Sequence, residues 1–206
     1  MNRTLPLAAI AAMLLASPLR AQLAAPADLP PIPSVASYAH WGQIERSYDD
    51  DEGASSIALS LPFDDKQRNA FVRHGLTRSV ELSAGFVFKG HVMTAYPDIV
   101  TMLLKVKRPT DVALRGEREG SQDISFNLGG GDPLVVPAPL VGRTGLDVVD
   151  SRPRQVEDTY VIVLTLSQFL RLVDAPTVSA QLHDMKLEWT GGPLEGLRDL
   201  ASRLTP

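Results

Sequence analysis

Asp49, Asp50, Asp51 and Glu52, followed by Gly53, form the densest run of metal-binding side chains in the sequence. Calcium takes several oxygen ligands from a flexible loop, and an extracellular compartment would supply the ion. The run lacks the alternating spacing and distal glutamate of an EF-hand loop, so it reads as a solvated turn between strands, with calcium as the competing reading. Asp64 and Asp65 would favour calcium if the fold brought them near. The four histidines, His40, His74, His91 and His183, are far apart, with no His-Glu-x-x-His helix and no pair one helical turn apart. Each is expected in a loop or at a strand end, and no metal or other cofactor is expected.

Hydrolysis by an activated serine needs a base within hydrogen-bond reach and an oxyanion site. No Gly-x-Ser-x-Gly stretch offers the usual scaffold for one. Gly129 to Gly131 are followed by Asp132, Pro133 and the apolar Leu134 to Val136, where a phosphate cradle would need Lys, then Ser or Thr, opening a helix. That stretch reads as a hairpin connection. Lys105, Lys107 and Arg108 are the one tight basic group; alternating with Leu104 and Val106, they read as the wet side of a strand, where positive charge discourages edge pairing. Anion binding is the competing reading for them. Tyr38, Trp41 and Tyr48, near the start of the domain, are rings on which a sugar could stack, and packing of a first strand explains them equally well.

The elements that must position these residues are mostly strands. Val80, Leu82, Ala84, Phe86 and Phe88 fall on one side of Thr77 to Lys89, with Glu81, Ser83 and Lys89 on the other. Ile57, Leu59 and Leu61 behave alike, as do Met102, Leu104 and Val106, and Ile124, Phe126 and Leu128. Tyr160 to Leu166 is apolar on nearly every residue, which predicts a strand at the centre of the core. Ser167 is expected to cap a short helix burying Phe169, Leu170 and Val173, ended by Ala175 and Pro176. Val178, Ala180 and Leu182 set one parity and Met185, Leu187 and Trp189 the opposite one. A two-residue turn at His183 and Asp184 would put both sets, Trp189 included, on one buried face. From Pro193 onward, Leu194, Leu197, Leu200, Ala201 and Leu204 recur at helical spacing. The opposite face of that helix is charged, with Arg198 expected in solvent and Asp199 and Arg203 one turn apart. The fold class predicted is mainly β: an antiparallel β-sandwich carrying a short helix and a C-terminal amphipathic helix, with a barrel as the alternative.

The ends and the composition narrow the function. Residues 1–21 hold Arg3, an apolar run from Leu5 to Leu15, Pro18 and a small residue at Ala21, the order of a secretory signal cleaved after Ala21. Its apolar run is short of the roughly 20 residues that cross a bilayer as a helix, and no later run approaches that length. Residues 22–37, with Pro26, Pro30, Pro31 and Pro33, read as a stiff linker, so a single domain is expected over residues 38–206. Twenty Lys and Arg stand against 24 Asp and Glu, a formal charge of −4 that provides no basic surface for nucleic acid. The sequence has no cysteine, which excludes disulfides, Cys-ligated zinc, a thiol nucleophile and a lipidated N-terminal cysteine.

Tyr48-Asp49, the run Phe88 to Gly90, Tyr96-Pro97 and the strand, helix, hairpin and leucine-rich helix from Tyr160 to Leu204 follow one another in a recognisable order. In that order the chain resembles uncharacterised secreted or periplasmic bacterial β-sandwich proteins. The resemblance implies an envelope-associated sandwich and carries no catalytic residue. The expectation is a non-enzymatic exported module, periplasmic or secreted, that binds a protein or envelope component. The alternative is a hydrolase or carbohydrate-active protein whose site forms only in space.

Overall fold

The computed structural model describes residues 29–33, 38–62, 79–110, 113, 122–149, 152–183 and 185–206. The expected signal segment, most of the linker, Asp64, Asp65, His74 and Asp184 lie outside the described residues. Six antiparallel strands form the larger sheet: β1 (Gln43–Asp49), β2 (Ala54–Pro62), β3 (Ser79–Lys89), β4 (Ile99–Pro109), β8 (Arg152–Thr165) and β7 (Leu140–Val149), in that spatial order. The smaller sheet runs β10 (Met185–Trp189), β9 (Val178–Leu182), β5 (Asp123–Asn127) and β6 (Leu134–Pro137). Helix α1 (Leu166–Asp174) leaves β8 directly, and α2 (Gly192–Ser202) follows β10. One apolar cluster draws on both sheets and both helices, giving a mainly β, open sandwich. The barrel alternative is not adopted, because the larger sheet ends at β1 and β7 without closing on itself among the described residues.

Alternation of side chains explains most of this. Leu82, Ala84 and Phe86 of β3 lie opposite Leu104, Met102 of β4 and Ile57 of β2 on the buried face. The β9–β10 hairpin pairs Leu182 with Met185 and Val178 with Trp189, and all six apolar residues of its two strands are buried, as their opposite parities require. His183 takes φ +52° in its turn, a conformation that a histidine tolerates better than most residues. The Trp189 ring packs 5.3 Å from Phe126, while its indole N–H meets no acceptor among the described residues.

Four expectations shift. Tyr160, Ile162 and Leu164 are buried, but Val163 is 46% exposed, so β8 covers only one face and lies inside the sheet by order rather than inside the core on both sides. β4 is flanked by β3 and β8, so its lysines guard no sheet edge. The cap of α1 is Thr165, not Ser167: Gln168 N–H donates to Thr165 Oγ1 at 3.2 Å, and Thr165 N–H to Gln168 Oε1 at 2.9 Å. This reciprocal box is worth about 1 kcal/mol. Leu29 and Ile32, within the stretch expected to be a linker, pack half-buried against the core.

α2 buries Leu194, Leu197, Leu200 and Ala201, and it lies on β2 and β3 and against α1 and β10. Gly196 permits the close approach: a Cβ there would come within 3.0 Å of both Leu61 methyls. Arg198 is not in solvent. It donates to the carbonyls of Val173 at 2.9 Å and Ala175 at 2.8 Å and pairs with Glu195 at 2.6 Å, so it closes the C-terminal end of α1. A helix end leaves carbonyls without helical partners, and a long cation from a neighbouring helix supplies the donors. No helix among the described residues is long and apolar enough to cross a membrane.

Candidate functional site

Three groups of side chains hold chemistry worth weighing, and the most deeply buried centres on Asp158 of β8. The register sets Arg108 of β4 close by and Arg143 of β7 opposite, all facing inward with Tyr160. Arg108 donates through Nε at 2.8 Å to Asp158 Oδ2 and through Nη2 at 2.7 Å to the Tyr160 hydroxyl. Arg143 donates through Nε at 2.5 Å to Oδ1 and through Nη2 at 3.1 Å to Oδ2. The side chains of Asp158 and Arg108 are 0% and 1% exposed, while Arg143 reaches solvent at 25%. A carboxylate forked by two guanidinium groups is saturated with donors and cannot act as a base; it braces three strands. The His183 ring, from the other sheet, lies 6.0 Å from the Tyr160 ring.

This geometry corrects the reading of the basic group. Lys105 and Lys107 do face outward, against Glu81 at 3.4 Å and Glu157 at 3.3 Å. Arg108 has the opposite parity, in phase with Leu104 and Val106, and points inside. The signal was in the spacing: Asp158 is likewise in phase with Tyr160, Ile162 and Leu164.

The second group brings His40, Asp199 and Ser202 together from opposite ends of the domain. Gly42 N–H donates to His40 Nδ1 at 3.1 Å, which leaves the ring proton on Nε2 to donate to Asp199 Oδ2 at 2.9 Å. Ser202 Oγ donates to the Asp199 backbone carbonyl at 2.7 Å and faces Oδ1 at 3.4 Å. A hydrolytic triad needs the serine on the imidazole nitrogen remote from the aspartate. Here a backbone amide occupies that nitrogen and the serine sits on the acid, so the three residues form a latch without a nucleophile–base pair. Burial pushes the Asp199 carboxyl up, but hydrogen bonds from His40 and Arg203 and the Arg203 charge outweigh it and hold it below the ordinary value. Beside the latch, the Trp41 ring lies against Gly192, where a Cβ would come within 2.0 Å of it.

The third group is at the surface, where β1 meets the segment after β3. The rings of Tyr48 and His91 stack with centroids 3.8 Å apart. Arg46 lies over the Phe88 ring at 5.4 Å and donates to the His91 carbonyl. Gly90 N–H donates to the Gly53 carbonyl at 2.9 Å, and Ser55 Oγ to the Gly90 carbonyl at 2.7 Å. Tyr48, Tyr96 and especially Val92, at 71% exposure, remain open. The acidic run forms the β1–β2 turn: Asp49 Oδ1 accepts from the amides of Asp51 at 3.0 Å and Glu52 at 3.2 Å, and Gly53 takes φ +59° to complete it. No set of three or more His, Asp or Glu residues arranged to hold a metal occurs among the described residues. Gly129 to Gly131 join β5 to β6, where Phe126 pairs with Leu134, so they make the hairpin connection and no helix follows them.

The outer edge of β1 pairs with no strand among the described residues, and its seven positions run against β2 without a bulge. The other long edge, β7, is broken by a register shift between Leu140 and Gly142, and the edges of the smaller sheet are five and four residues long. The sequence implies a first strand before the acidic turn but not its bounds, because Ile44 is its one partly buried apolar side chain. No protein-family model, curated protein or solved structure matches the chain.

Proposed function

We propose that this protein is a non-enzymatic exported module, periplasmic or secreted, that binds a protein or envelope component through β1 and the adjoining segment after β3. The observation that carries the reading is the cross-linking of that surface: a stacked Tyr48–His91 pair, Arg46 on the His91 carbonyl, and Gly90 donating to the Gly53 carbonyl and accepting from Ser55 Oγ. Exposed aromatic and aliphatic groups fixed before a partner arrives bind with less ordering cost, and Tyr and Arg are favoured anchors. The occupied acceptor atoms of His40 and Asp158 weigh against the hydrolase alternative. Export rests on residues 1–21, and the envelope-associated family on the resemblance in residue order; the exported form is expected to begin near Gln22 by intact mass.

A photo-crosslinking residue placed in turn at Ser47, Val92, Val135 and Val163 tests the reading in the native cell envelope. Adducts to one and the same species from positions 47 and 92, with none from 135 and 163, support it. Equal adducts from all four positions, or none from 47 and 92, refute it.

A further inference from the structure

We infer that β1 accepts an extended partner segment as a seventh strand of the larger sheet, and that this segment alternates basic and apolar side chains. The inference rests on reading the protein as a binding module and names the chemistry of its partner.

An edge strand presents unpaired amides and carbonyls, which an added strand satisfies while its side chains meet those of the edge on each face. β1 is the regular edge, paired with β2 from Gln43↔Ser60 through Asp49↔Ala54. Its two faces differ in chemistry. Ile44 and Tyr48 share the face of Leu59 and Ser55, with Ile44 packed against the core. Gln43, Glu45, Ser47 and Asp49 share the opposite face, which therefore carries two carboxylates and no cation. Arg46, on the apolar face, is drawn back over Phe88 and onto the His91 carbonyl, and the cations of a partner strand would lie on the opposite face, beside Glu45 and Asp49.

A second copy of the chain fits this edge poorly. Two-fold antiparallel pairing keeps each face on its own side, so residues of equal parity meet. Every such register that pairs five or more residues centres on Glu45, Arg46 or Ser47. These place Glu45 on Glu45, Arg46 on Arg46, and Glu45 on Asp49, respectively. Like charges directly opposed across strands are destabilising. The edge is guarded against its own kind and complementary to a strand with cations facing Glu45 and Asp49 and apolar groups facing Ile44 and Tyr48.

The test uses the full exported chain and three synthetic octapeptides: alternating Lys-Val, alternating Glu-Val, and the Lys-Val peptide N-methylated on every second residue along one edge. Binding is read by fluorescence anisotropy at physiological salt. The Lys-Val peptide should bind, Glu-Val should not, and N-methylation should abolish binding by removing the donors that face β1. Glu45 is exposed, so Glu45→Lys should fold normally, and it should weaken Lys-Val binding by about fivefold while improving Glu-Val binding. Equal binding of the N-methylated peptide would overturn strand addition in favour of plain ionic adhesion. Absence of Lys-Val binding also overturns it. If crosslinks from positions 47 and 92 persist in that case, only the partner chemistry fails; if they too are missing, the binding-module reading fails with it.

Discussion

Asp158→Asn removes one charge from a site where water cannot replace it. The side chain is fully buried, and the Arg108 guanidinium it holds is 1% exposed, with Tyr160 as its other named partner. Removing one member of a buried pair leaves the other charge uncompensated, a cost of about 3–5 kcal/mol. That is a large part of a typical folding stability of about 5–15 kcal/mol. Arg143→Ala should cost less, about 1–2 kcal/mol, because Arg143 is partly solvated and Asp158 keeps Arg108. Replacing both ends of the buried pair, Arg108→Met with Asp158→Leu, removes the two desolvated charges together. The double variant should lose only about 1–3 kcal/mol, for the Arg108–Tyr160 hydrogen bond and for the partly solvated Arg143, which loses its carboxylate partner. Urea titrations followed by tryptophan fluorescence and far-UV circular dichroism give each value, provided the slopes agree between variants. A double variant less stable than Asp158→Asn alone would refute the account, as would an Asp158→Asn loss below about 1 kcal/mol.

Asp199 has a folded pKa below its unfolded one, so its contribution is present above the unfolded carboxylate value of about 3.9 and is lost as pH falls through the folded value. Stability measured from neutral pH into acid should therefore fall less steeply below about pH 4 in Asp199→Asn than in the parent; parallel curves would contradict the assignment. Leu200→Ala should cost about 2–5 kcal/mol and Arg198→Ala about 1–2 kcal/mol, with the exposed Lys186→Ala within about 0.5 kcal/mol as control. Matching midpoints for Arg198→Ala and Lys186→Ala would show that Arg198 does not hold the end of α1. Thermal melting should be the same with saturating calcium and with chelator, since Asp49 Oδ1 is occupied by two backbone amides; a rise of several degrees with calcium would reverse that expectation.

Strands with one buried face were legible because their period of two is visible in residue type: β2, β3, β4, β5, β9 and β10 follow it. The bounds of β1 and the whole of β7 were not, for the physical reason that edge strands bury little and alternate weakly; β7 also carries Gly142 and Gly145. Arg108 was misjudged by type, and its partner Asp158 drew no reading. Parity puts both inside, and the charge of Arg108 alone suggested solvent, although paired and hydrogen-bonded ions are tolerated in a core. Thr165 with Gln168 three residues later is a visible capping box, and Ser167 was the less informative cue. The His40–Asp199 latch joins residues 159 apart, and no local pattern could connect them.

That latch also sets an order in time. Trp41 rests on Gly192, His40 on Asp199, and Leu61 against Gly196, so the start of the sheet is covered by residues of α2, which comes after all ten strands in the chain. Contacts so distant in sequence bear the cost of closing a long loop before they return any stability, and they form late. A chain delivered from its N-terminus would hold β1 and β2 with Leu59 and Leu61 open to solvent until residues 192–204 arrived. Folding of the sheet would then be completed by its last helix, and a holding factor for the unfinished chain would have to release it at that step.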